Sequence, residues 1–301
     1  MLRPPYLQKN DSVAVIAPAS KVSASAISAA KNCMEAWGLQ VLLGENVLAG
    51  YYEFSGTDEQ RASDFQNAIN DPTVAAIVCA RGGYGCSRIV DRIDFSPLNE
   101  RPKWLVGYSD TTVLHARMNR MNMESIHGIM LSGFPPDGCD SESTESLRKA
   151  LFGELTNYQI PPHEMNKEGQ VKAVLIGGNL TLIGHLQGTV DALKTDDRIL
   201  FIEDVGEYLY NIDRIMIQLK RGGLLNGLKG VIVGTFNKMK DNVGSNFGKS
   251  SYEIIAEHME ELDIPVAFGF PAGHSELNMS LYLGREVYLS VTKEGTSIDF
   301  L

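Results

Sequence analysis

Two glycine-rich turns and two loops at strand ends hold the residue types from which acyl-transfer chemistry could be assembled. The first turn, Arg81-Gly82-Gly83-Tyr84-Gly85, follows an apolar run that ends at Cys79. Glycines there let backbone N–H groups approach a ligand closely, as an oxyanion or phosphate site requires. A dinucleotide fingerprint is not met, because GxGxxG counted from Gly83 ends on Arg88, and a tight turn with no ligand fits the same residues. The second turn is Gly107-Tyr108-Ser109-Asp110-Thr111, between a strand pattern and a helix pattern. A serine on a sharp strand-to-helix turn is lifted clear of the backbone, where the helix N-terminus stabilises negative charge. Thr111 stands where a GxSxG elbow has its last glycine, so Ser109 or Asp110 could equally be a plain N-cap.

A serine nucleophile needs a base and a group that orients it. Of six histidines, His115 and His258 fall in helical patterns and His163 in a proline-containing stretch, while His127 and His185 have the apolar or glycine neighbours of core residues. His274 lies instead in the loop 270–278, directly after a buried-strand pattern, and such loops carry function out of proportion to their length. The acids Glu203, Asp204 and Glu207 stand where another strand pattern runs out. Carboxylates so placed could bind a metal, act as acid and base, or orient His274, and the residues alone do not choose between the three acids. No closely spaced histidines support a metal site. The run Gly-Ser-Asn-Phe-Gly-Lys-Ser at 244–250 is one residue short of a phosphate-binding loop and follows a polar segment, so nucleotide hydrolysis is not expected.

The elements that would position these residues alternate. Strand patterns at 12–17, 39–43, 74–79 and 103–106 interleave with helix patterns at 24–37, 57–70, 86–91 and 111–121. Thr57 with Gln60 forms a capping box. This alternation predicts right-handed βαβ units and a mostly parallel sheet covered by helices. Residues 157–170, with Pro161-Pro162 and Gly169, read as a linker between domains at 1–156 and 171–301. Beyond it, strands are expected at 172–176, 198–202, 231–235 and 266–268, helices at 211–220 and 252–262, and a closing hairpin about Lys293-Glu294-Gly295.

Composition narrows the class. The 301 residues carry a formal charge of −10, from 37 acids against 27 bases. Such a surface repels phosphate, so neither nucleic acid nor an anionic membrane is an expected partner. No apolar stretch approaches the roughly 20 residues of a membrane-spanning helix, and residues 1–11 lack the apolar core of a secretory signal. Cys33, Cys79, Cys86 and Cys139 form no CxxC, and reduced thiols in the cytoplasm are the expectation.

In chain order, Val15-Ile-Ala-Pro18, Arg81-Gly-Gly-Tyr-Gly85, Gly107-Tyr-Ser-Asp110, Ile126-His-Gly128, Gly177-Gly-Asn-Leu180, Phe201-Ile-Glu-Asp204, and Gly273-His274 followed by Asn278 and Leu281 form a specific set. Together they resemble the muramoyltetrapeptide (LD-) carboxypeptidases, a serine-peptidase family that includes the microcin C immunity proteins. The resemblance spans nearly the whole chain. It implies a Ser109, Glu203 and His274 triad, and an oxyanion hole from the backbone N–H groups of Gly83 and Asp110. It further implies a flavodoxin-like first domain, a smaller α/β second domain with a cleft between them, and homodimers. The implied reaction is release of terminal D-alanine from the L,D bond of cytoplasmic murein tetrapeptide, for cell-wall recycling, with no metal or cofactor. Arg81 is the candidate for the substrate's terminal carboxylate, which a guanidinium matches bidentately. Asn179 and Asn278 would contact the peptide or brace loops. Two other readings compete. Detoxification of a peptidyl-nucleotide antibiotic is disfavoured by the lack of tryptophan after Trp104. A non-catalytic peptide or amino-acid binder is disfavoured by retention of all three triad types. The chain departs from the family at Ile129, where proline commonly follows the His-Gly pair, and at Leu281-Tyr282 in place of Leu-Pro.

Overall fold

All five residues of Ser12–Ile16, strand β1, are buried, as in a central parallel strand covered on both faces. The computed structural model describes residues 1–136 and 138–301, and β1 lies in the first of the two units into which they divide. That unit comprises Met1–Leu155 and Asn278–Tyr282. Helix α1 (Ala24–Ala36) begins at an N-cap, Ser23, whose side chain accepts from the Ala26 amide. It is followed by Gly38 at φ 90. Strand β2 (Gln40–Leu43) leads on to α2 (Asp58–Asn70), where the Thr57–Gln60 capping box is present. Strand β3 (Val74–Cys79), the short α3 (Cys86–Ile89), β4 (Trp104–Gly107), α4 (Thr112–Arg120), β5 (Ser125–His127) and α5 (Glu142–Phe152) complete the alternation. The order β2-β1-β3-β4-β5, with every one of these pairs parallel, is the flavodoxin-like order.

The second, smaller unit holds Thr156–Leu277 and Leu283–Leu301. Its elements are β6 (Asn157–Ile160), β7 (Gly169–Asn179), α6 (Leu180–His185), β8 (Arg198–Val205), α7 (Leu209–Arg221), β9 (Gly230–Asn237), α8 (Ser251–Met259) and β10 (Val266–Phe268). Strand β11 (Leu281–Leu283) instead extends the first sheet beyond β5, and β12 (Glu286–Val291) and β13 (Thr296–Phe300) form the expected hairpin. The second sheet is mixed. β10, β9, β8 and β7 run parallel, and β12, β13 and β6 continue it antiparallel.

Three features depart from the sequence reading. Residues 157–170 are not merely a linker, since Asn157–Ile160 pairs with β13 and β7 begins at Gly169. Asn278–Tyr282 leaves the second unit for the first, fastened there by the Asn278 and Ser280 amides donating to Ser143 and Ser146 Oγ on α5. Tyr282 is fully buried against Trp104, and its hydroxyl donates to the Ala150 carbonyl. With Ile129 also buried, both departures from the family pattern are core residues. Third, Cys33 and Cys139 form a disulfide, with Cα atoms 5.3 Å apart, which corrects the expectation of four reduced thiols. Their separation of 106 residues left no spacing signal to read. Cys79 and Cys86 are free and buried, and burial pushes the Cys79 thiol up to about 12. Among the described residues no helix is long and apolar enough to cross a membrane.

Candidate active site

In the first unit, β4 ends at Gly107, whose carbonyl is fixed from two sides. The Gly128 amide donates to it at 3.2 Å, and His115 Nε2 lies 2.9 Å away. A carbonyl can only accept, so Nε2 carries the proton and Nδ1 accepts from the Ser125 hydroxyl, 2.8 Å away. Burial lowers the His115 pKa to about 4, which keeps the ring neutral. The chain then turns sharply. A Cβ on Gly107 would lie 2.7 Å from Thr111 Oγ1, and Ser109 sits at φ 61. That left-handed conformation is uncommon for a residue with a side chain and costs on the order of 1–3 kcal/mol. Ser109 is partly exposed and opens the short Ser109–Thr111 turn into α4. The strand, strained serine and helix of a nucleophile elbow are therefore present without its final glycine. Thr111 occupies that place as a fully buried residue, its hydroxyl against Met130 Sδ at 3.7 Å.

The Arg81–Gly85 turn packs on this serine. A Cβ on Gly82 would lie 2.9 Å from Ser109 Cβ and 3.1 Å from its Oγ, so the two glycine-rich turns form one surface. The first turn is held by the Ser20 amide donating to Gly82 O at 3.2 Å and by the Tyr84 amide donating to Ser20 Oγ at 3.4 Å. Gly83 has φ 105. Neither its amide nor that of Asp110 is engaged among the described residues, which leaves both available to an incoming oxygen. The Asp110 side chain has a role that the sequence did not show. Buried to 2% exposure, it accepts the Cys86 amide at 2.7 Å and so ties the two turns together. Burial raises its pKa, and the Cys86 hydrogen bond and the Arg61 charge act against that rise. Arg81 is exposed, with Nη1 donating to the Lys21 carbonyl at 3.0 Å.

In the second unit, Glu203 and Asp204 lie just before Val205, the last residue of β8. Adjacent strand residues point to opposite faces, and the register against β9 shifts between Ile202 and Asp204, an irregularity that re-aims side chains. Glu203 is fully buried, and its Oε2 lies 2.7 Å from His274 Nδ1. Burial raises the Glu203 pKa, opposed by the His274 hydrogen bond. With Nδ1–H given to the carboxylate, Nε2 is the ring nitrogen able to accept a proton. The His274 side chain is 18% exposed. Two glycines permit this approach. A Cβ on Gly273, at φ 125, would lie 2.8 Å from Glu203 Oε2, and one on Gly234 would lie 2.5 Å from Ala272 O. The loop is pinned by the Thr235 amide donating to Ala272 O at 2.9 Å and by Asn237 Nδ2 donating to His274 O at 2.8 Å.

The other candidates are braces. Asp204 accepts from Asn179 Nδ2, the Val205 amide, and the Thr181 amide and hydroxyl. Asn179 Oδ1 caps α6 by accepting the Leu182 amide. Glu207 accepts from Asn211 Nδ2, so of the three acids Glu203 is the one paired with the imidazole. Asn278 is buried in the first unit.

Comparison with known proteins follows the same two-part division. Residues 13–128 match the family model for the LD-carboxypeptidase N-terminal domain, and residues 172–289 that for the LD-carboxypeptidase C-terminal domain. A probable murein peptide carboxypeptidase of Bacillus subtilis (strain 168) is 33% identical over 303 residues, covering 99% of this chain and 94% of that protein. The crystal structure of muramoyltetrapeptide carboxypeptidase from Oxalobacter formigenes superposes with a TM-score of 0.85 at 26% identity, covering 96% of this chain and 98% of that one. The microcin C7 self-immunity protein MccF, in complex with aspartyl sulfamoyl adenosine, gives a TM-score of 0.87 at 21% identity over 99% and 98% of the two chains. That likeness is one of fold.

Proposed function

The chain belongs to the LD-carboxypeptidase family and is a carboxypeptidase of the serine-peptidase type, and from that premise we propose that it releases terminal D-alanine from the L,D bond of murein tetrapeptide. Ser109 Oγ attacks the carbonyl carbon while His274 Nε2 takes its proton. Glu203 fixes the Nδ1–H tautomer and stabilises the imidazolium that forms. The Gly83 and Asp110 amides receive the oxyanion, an interaction worth roughly 10²–10³ in rate for each donor. Collapse of the tetrahedral intermediate breaks the C–N bond, and His274 returns its proton to the departing amine of D-alanine. A water molecule, deprotonated by His274, then frees the acyl group from Ser109. Arg81 keeps N–H donors beyond the one on Lys21 for the terminal carboxylate of the peptide.

The observation that carries this reading is the 2.7 Å hydrogen bond between His274 and the fully buried Glu203, which supplies the oriented base a serine peptidase needs. A cytoplasmic, recycling role and a homodimer belong to the same proposal. The Cys33–Cys139 disulfide pulls against a reducing compartment, and the cytoplasmic assignment rests on the murein-derived substrate. The test is D-alanine release from purified murein tetrapeptide by the native protein and by Ser109→Ala, where loss of a triad serine costs on the order of 10⁶ in turnover. Release by the native protein alone supports both substrate and nucleophile. Equal release by both refutes the nucleophile. No release by either refutes the murein substrate and turns the search to peptidyl-nucleotides or to simple peptide binding.

A further inference from the structure

Among the buried cations that the proposed chemistry leaves unused, Arg61 is the one beside the glycine-rich turns. Arg61 lies in the first turn of α2, where the helix dipole disfavours a positive charge, and is only 2% exposed. A guanidinium is kept from water at a cost unless its N–H groups are matched. Here Nη1 donates to Pro18 O at 2.6 Å and to Gly85 O at 3.0 Å. Nη2 is ion-paired with Asp58, the group lies 4.8 Å from the centroid of the Phe54 ring, and the buried Nε alone of the three nitrogens has no partner among the described residues.

The two carbonyls define what this side chain does. Pro18 lies in the loop after β1, two residues before Ser20, whose amide and hydroxyl grip the Gly82 carbonyl and the Tyr84 amide. Gly85 ends the turn that carries Gly83, immediately before the Cys86 amide held by Asp110. One nitrogen of the guanidinium thus fixes the Gly83 turn at its far end and the loop that supports its middle. Gly85 is fitted to that nitrogen, since a Cβ there would collide with Nη1 and lie 3.1 Å from Ala19 Cα.

We propose that Arg61 is a positioning residue for the oxyanion hole, clamping the Pro18 and Gly85 carbonyls so that the Gly83 amide is aimed before substrate arrives. This inference rests on the roles given above to Ser109 and Gly83. Lysine retains the charge, but its shorter arm and single nitrogen cannot hold both carbonyls and the Asp58 carboxylate at once. Misplacing one donor forfeits part of the roughly 10²–10³ in rate that such a donor supplies. Arg61→Lys should therefore lose about 10- to 100-fold in kcat, with KM changed less than about 3-fold.

The test uses the full-length protein, with D-alanine release as one readout. The second is the rate at which a fluorophosphonate labels Ser109, a reaction that needs the nucleophile and its oxyanion donors but no particular peptide. Arg61→Ala, with and without added methylguanidinium, provides a rescue arm, and Arg61→Lys decides the matter if the alanine variant does not fold. Parallel losses in kcat and in labelling rate, partly restored by methylguanidinium, are the expected result. Wild-type labelling and turnover in Arg61→Lys, or a loss confined to KM, would overturn the proposal. If the native protein is labelled but releases no D-alanine, the murein substrate fails and the labelling rates still decide Arg61. If native Ser109 is not labelled and Ser109→Ala releases D-alanine as the native protein does, the nucleophile assignment fails and the Arg61 proposal falls with it; if it is not labelled and only the native protein releases D-alanine, the kcat of Arg61→Lys decides.

Discussion

Replacing His115 with asparagine should remove a specific acid sensitivity of the first unit. The ring is buried between Ser125 Oγ and the Gly107 carbonyl, and its pKa falls from 6.5 to about 4 on folding, chiefly because burial penalises the charged form. Between those values the unfolded chain binds the proton that the folded chain refuses, so stability is full above pH 6.5 and declines as the pH falls toward 4. At pH 5 the expected loss is about 2 kcal/mol, levelling off near 3 kcal/mol below pH 4. The two tryptophans, Trp37 and Trp104, both lie in the first unit, so urea unfolding followed by their fluorescence reads that unit selectively. Asparagine forfeits part of the hydrogen bonding at every pH, which makes the variant weaker at pH 7.5. The gap between the two proteins should then narrow by about 2 kcal/mol on moving to pH 5. Buried Asp110, whose pKa is raised, acts in the opposite direction, but it does so in both proteins and cancels in the comparison. A gap that stays constant from pH 7.5 to pH 5 would refute the reasoning.

Three further outcomes are expected. Glu203→Gln should lower kcat for D-alanine release by about 10³–10⁴ while Glu207→Gln changes it less than about 3-fold; equal losses would undo the assignment of Glu203 to His274. Gly82→Ala places a methyl group 2.9 Å from Ser109 Cβ and should cost at least about 10-fold in kcat/KM, whereas Gly133→Ala, whose nearest neighbour is 3.7 Å away, should be near neutral. For the disulfide, thiol titration of the denatured protein should find two thiols without reductant and four after treatment with a dithiol. Reduction should also lower first-unit stability by about 2–5 kcal/mol, and four thiols at the outset would show that the bond does not form.

What the sequence disclosed was local. The continuous apolar runs of β1 and β3 and the capping box of α2 are each written within a few consecutive residues. Helix α5 carried equally local marks, an N-cap at Ser141 and a left-handed Gly153 at its end, that the reading did not use. Strand β5 is three residues long and offers too little periodicity to recognise. The return of Asn278–Tyr282 to the first unit depends on hydroxyls of α5 more than 130 residues earlier, which no local pattern records. The same holds at the site. Gly82 and Gly273 are visible as glycines, but the reasons for them are contacts with Ser109 and Glu203.

The choice between two neighbouring carboxylates shows what kind of information was missing. Glu203 and Asp204 are both buried, and burial raises the pKa of each. Asp204 receives four hydrogen bonds, from two side chains and two backbone amides. A carboxylate so saturated has its charge fully answered and serves to hold the β7–α6 junction in place. Glu203 receives the His274 hydrogen bond on Oε2, while its buried Oε1 makes none among the described residues. A charge met chiefly by His274, with Asn179 a weaker second, interacts strongly in a low-dielectric setting with whatever happens on that imidazole. In the proposed mechanism, the positive charge that forms on His274 lies 2.7 Å from a carboxylate with few donors of its own. The same imbalance makes loss of the Glu203 charge costly and loss of the Asp204 charge chiefly a matter of stability. Donor number, a property of the folded environment, therefore separates the acid proposed to orient His274 from the structural one where residue type and sequence position do not.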